Sequence, residues 1–71
     1  MNVVVFLEGG VVQQVITDSE NVQVVIVDRN TENLPKEDIQ TILGEEAYVY
    51  NAISEADRNP TLVAEVLKDR K

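Results

Sequence analysis

The string Asp28-Arg29-Asn30-Thr31-Glu32-Asn33 sets oxygen-bearing side chains at alternate positions, which is how a calcium-binding loop begins. Such a loop also needs a glycine for its sharp turn and a bidentate glutamate at its end. Asn33 and Ile39 occupy those two places, so the string reads as a polar loop and no metal is expected. Nucleophilic catalysis asks for an activated side chain beside a base, yet the chain has no His and no Cys, and Ser19 and Ser54 lie in polar, turn-like settings. Thirteen acids permit a carboxylate pair for acid/base work, but one member would have to be desolvated in a cleft that so short a chain seldom encloses. Neither an enzyme nor a cofactor is expected.

Gly9-Gly10 is followed by neither a dinucleotide fingerprint nor a P-loop, and it falls between two strand-like runs, so a hairpin explains it better than a phosphate cradle. Tyr48 and Tyr50 could stack on a base. With Phe6 as the only other aromatic, sheet packing is the more economical use for them. Glu37, Asp38, Glu45 and Glu46 form two acidic pairs, either a solvated face or a surface that competes for a basic groove. With Tyr48 and Tyr50 they are the candidate partner-binding surface. Arg29 and Arg58 are the candidate anion contacts.

The elements that must position these residues begin with Val3-Val4-Val5-Phe6-Leu7 and Val11-Val12-Gln13-Gln14-Val15-Ile16, two β-branched runs joined by the glycine turn. After the polar break Thr17–Asn21, Val22-Gln23-Val24-Val25-Ile26-Val27 completes a three-stranded meander. Pro35, the acids Glu37 and Asp38, apolar Ile39, Ile42 and Leu43, and Gly44 match the start, face and stop of a short helix. Residues 45–53 fit both periods: Ala47, Tyr50 and Ile53 suit a helix, while Tyr48-Val49-Tyr50 favours a strand. Asn59 caps, Pro60 starts and Leu62, Val63, Val66 and Leu67 stripe a final helix that ends in basic residues. The predicted fold is therefore α+β: an antiparallel meander of three to four strands (about 2–8, 11–17, 22–28, with 46–51 as the optional fourth) and two helices (about 35–43 and 60–70).

Seventy-one residues allow one domain, 1–71, and a core worth roughly 3–5 kcal/mol, a size at which small folds need a staple. Without Cys or His the remaining staple is self-association, so a homo-oligomer is expected. The first and third strands are apolar on both faces and carry no Lys to blunt an edge, which points the same way. A formal charge of −7 argues against nucleic acid and anionic membranes and leaves a basic protein as the second expected partner. The longest apolar run, Val3 to Leu7, is too short to span a bilayer, and Met1-Asn2 opens without a basic signal region, so a cytoplasmic protein is expected.

The segments Gly9-Gly10-Val11-Val12-Gln13 and Gly44-Glu45-Glu46-Ala47-Tyr48-Val49, with Pro60 before a helix, make the chain resemble small uncharacterised proteins of bacterial, plasmid and phage genomes. The likeness spans most of the chain, and its motifs are structural. It implies an accessory protein of a mobile element and carries over no functional residue. Three roles follow in order of expectation: a non-enzymatic homo-oligomeric interaction protein, an inhibitor that docks an acidic surface on a basic effector, and an oligomeric sponge for a nucleotide-like ligand.

Overall fold

Gly9 and Gly10 both hold positive φ, 60° and 78°, as a two-residue hairpin turn with the right twist requires. In this computed structural model, which describes residues 1–70, the order is β1 (Val3–Glu8), β2 (Val11–Thr17), β3 (Val27–Asp28), a single 3-10 turn at Lys36–Asp38, β4 (Gln40–Ile42), β5 (Glu45–Val49), β6 (Asp57–Arg58) and α1 (Pro60–Asp69). The chain divides into two compact units, residues 1–24 with 55–70, and Val25–Ser54. Among the described residues no helix is long and apolar enough to cross a membrane.

In the first unit the sheet order is β1-β2-β6. β1 and β2 are antiparallel, with Val3 opposite Thr17 and Val5 opposite Val15, and a bulge beyond Phe6 brings Leu7 opposite Val12. β6 lies parallel on the other side of β2. Val15, Ile16 and Thr17 are buried in succession, and since successive side chains point to opposite faces, the central strand is covered on both. Thr17 tolerates 0% exposure because its hydroxyl is satisfied: it donates to Asn2 O at 2.7 Å and accepts from Ser19 N–H at 3.2 Å. Asn59 Oδ1 caps α1 by accepting from Leu62 N–H at 3.0 Å, and Val63 supplies the helix's buried residue.

In the second unit the order is β3-β5-β4. β5 is central, with Ala47 fully buried at its middle. β4 and β5 form a hairpin, Ile42 opposite Glu45, closed by Leu43 (φ 54°) and Gly44 (φ 82°).

Three expectations need correction. The class is α+β, but the described residues form one helix and two small three-stranded sheets in place of a meander with two helices. The helix expected over 35–43 is a 3-10 turn that ends at Ile39, which is extended (φ −96°, ψ 129°), followed by a strand. Its residues Ile39, Thr41 and Ile42 are β-branched, and so short a helix has little stability of its own, whereas as a strand Gln40–Ile42 gain the β5 ladder. Gly44 does hold a positive φ, in a hairpin turn rather than a helix end. The strand expected over 22–28 does not pair with β2. That edge is taken by β6, with Asn59 N–H donating to Thr17 O at 2.9 Å, while Gln23 makes one bridge to Glu55 and Val27–Asp28 pair with β5. The optional fourth strand is β5, shifted to 45–49 and paired outside the first sheet.

Candidate interaction surfaces

β1 is an edge strand, and its odd-numbered side chains face solvent: Val3 is 44%, Val5 50% and Leu7 66% exposed. No charge interrupts the run from Val3 to Leu7, and the first basic residue of the chain is Arg29. An uncharged, apolar, unblunted edge is a template for another strand. These three residues were absent from the expected site, although the missing Lys was the signal that could have found them.

Of the two residues expected to contact anions, Arg29 is engaged with backbone carbonyls and Arg58 lies beside carboxylates. Arg29 Nη1 donates to the carbonyl oxygens of Ile42 (2.9 Å), Glu45 (3.0 Å) and Glu46 (3.4 Å), and its Nη2 lies 3.9 Å from Glu45 Oε2. All three carbonyls are served by one nitrogen, Nη1, while Nη2 is left on the side of the Glu45 carboxylate. Arg58 lines an open cleft of about 390 Å³ in the first unit with Glu20, Asn21, Glu55 and Asp57. Three carboxylates to one guanidinium give that cleft a negative balance, which opposes a phosphate.

The acidic residues sit apart in role. Glu37 and Asp38 ride the exposed 3-10 turn, and Glu45 and Glu46 open β5, also exposed. Glu46 shares a second cleft with Lys36, Ile39 and Thr41. Tyr48 and Tyr50 are half-buried and meet edge to face, ring centroids 5.1 Å apart at 71°, which is packing geometry rather than an open stacking platform. In the loop that echoed a calcium site, Asp28 Oδ1 accepts from Asn30 N–H and Asn30 Oδ1 from Glu32 N–H, so its oxygens fold their own backbone. No group of three His, Cys, Asp or Glu that could hold a metal occurs among the described residues.

Sequence reasoning also missed Leu43, 93% exposed at the tip of the β4–β5 turn in a backbone region where L-residues are strained. The signal available was the Leu-Gly pair ahead of a strand-forming Tyr-Val-Tyr segment.

No protein-family model, curated protein or solved structure matches this chain.

Proposed function

We propose that the chain is a non-catalytic cytoplasmic interaction protein, of the accessory kind, whose working form is a homo-oligomer. The observation that carries this reading is the solvent-facing row Val3, Val5 and Leu7 on an edge strand whose run from Val3 to Leu7 has no charge to keep another strand away. A core as small as Val15, Ile16, Ala47, Ala56 and Val63 adds weight, because burying the row against a second copy would supply apolar contact that the single chain lacks.

Sedimentation velocity across 1–200 µM, roughly the range over which weak self-association appears, tests the reading directly. Wild type is expected to sediment as an oligomer, and Val5→Lys, which places a charge on the edge, as a folded monomer by circular dichroism. A wild-type monomer at the highest concentration would overturn it.

A second reading, docking on a basic protein, is favoured by one observation: Glu37, Asp38, Glu45 and Glu46 are all exposed in a unit where six acids face two bases. Binding to a cationic peptide that weakens steeply with salt would support it, and salt-independent or absent binding would remove it.

A further inference from the structure

We infer that the partner of β1 is β1 of a second copy, paired antiparallel about a two-fold axis through Val5. This rests on the self-association reading above and adds to it the surface, the register and the stoichiometry.

The direction of the free hydrogen-bonding groups follows from the ladder. Asn59 N–H donates to Thr17 O, so the Thr17 backbone faces β6 and turns away from β1. Pairs of an antiparallel ladder alternate between those that exchange hydrogen bonds and those that do not, which makes Val3–Thr17 and Val5–Val15 non-bonded pairs. The N–H and C=O groups of Val3 and Val5 therefore point out of the sheet edge, where no strand among the described residues pairs with them.

The register follows from composition. With the axis at Val5, that residue faces its own copy, Val3 faces Leu7, Val4 faces Phe6, and Glu8 faces Asn2. Every apolar residue meets an apolar one and no two acids meet. With the axis at Val4, Phe6 would face Asn2. With the axis at Phe6, Val4 would face Glu8 and Val3 would face Gly9. Opposed residues of an antiparallel pair share a face, so the exposed rows of the two copies lie side by side and shield each other along the seam.

The assembly closes at two. Joining β1 to β1 gives a six-stranded sheet whose outer edges are both β6, a strand of two charged residues, Asp57 and Arg58, too short and too polar to recruit another copy.

The chain has no cysteine, so single-cysteine variants report the register cleanly. Opposed Cα atoms about 5.5 Å apart lie within disulfide reach. Under mild oxidation Val5→Cys is expected to form a disulfide dimer roughly ten or more times faster than Val3→Cys or Leu7→Cys alone, because only it meets its own copy within that reach. Mixed Val3→Cys and Leu7→Cys are expected to cross-link to each other. Sedimentation of each reduced variant shows whether it still dimerises. A dimer in which Val3→Cys links to Val5→Cys instead overturns the register and leaves the self-association reading standing. A dimer that none of these pairs captures excludes β1 as the interface. A monomeric wild type overturns both.

Discussion

Asn2 holds Asp18 with both of its nitrogens: the backbone N–H donates to Oδ1 at 2.8 Å and the side-chain amide to Oδ2 at 2.8 Å. The bond from the Asn2 side chain, then the one from its backbone, stabilises the ionised carboxylate and holds the Asp18 carboxyl below the usual aspartate range. This fastens the start of β1 to the turn after β2.

A depressed native value means that the contribution of Asp18 to stability is complete above the ordinary aspartate pKa, about 3.9, and disappears as pH falls through the lowered native value. Urea midpoints of wild type and Asp18→Asn are therefore expected to differ at pH 7 and to converge in strong acid. A difference that stays constant down to pH 2, roughly two units below that ordinary value, would contradict the assignment.

Replacing Arg29 removes three carbonyl contacts at the base of the β4–β5 turn. Because the side chain is partly solvated, Arg29→Met is expected to cost about 1–2 kcal/mol and Arg29→Lys less, since one nitrogen serves all three carbonyls and an ammonium carries three donors. Amide exchange along β5, chiefly at Ala47, should quicken more than exchange in α1.

Leu43 sits at φ 54°, where a side chain with a Cβ is disfavoured, and it is exposed enough that its removal leaves no cavity. Leu43→Asn, which suits the first position of such a turn, is expected to stabilise by about 0.5–1 kcal/mol. Thermal unfolding measures it, and a lowered midpoint would show that the leucine is held by contacts of its own.

Asn59→Ala removes the acceptor that satisfies Leu62 N–H at the start of α1. A loss of about 1 kcal/mol is expected, with Asn59→Asp retaining most of the stability because its carboxylate can accept the same bond. Denaturant titration of the three proteins separates the cap from any general effect at the site.

Local chemistry was legible where one signal had one meaning. Gly9-Gly10 between valine runs gave β1 and β2, and Asn59-Pro60 with its apolar stripe gave α1. Ile39, Ile42 and Leu43 carried a signal with two meanings, since three apolar residues followed by a glycine suit a helix and its end as well as a strand and its turn. The ladder with β5 decided between them, and a ladder partner is a long-range fact. The same holds for Val22–Val27, a good strand by composition whose place beside β2 went to two unremarkable residues, Asp57 and Arg58. The acids and tyrosines of the expected surface were visible by residue type. The row Val3, Val5 and Leu7 was visible as part of an apolar strand with no Lys to blunt an edge, but which of its side chains stay exposed depends on what packs against its two faces.

The second unit, Val25–Ser54, leaves and rejoins the first at neighbouring points, since Gln23 bridges Glu55 and Ala56 N–H donates to Val22 O at 2.9 Å. It is thus an insertion with adjacent ends, the arrangement that makes a loop exchangeable. A two-residue link from Val24 to Glu55 would preserve the backbone pairings of the first sheet, and the vacated junction would accept a foreign hairpin or a reporter peptide in its place.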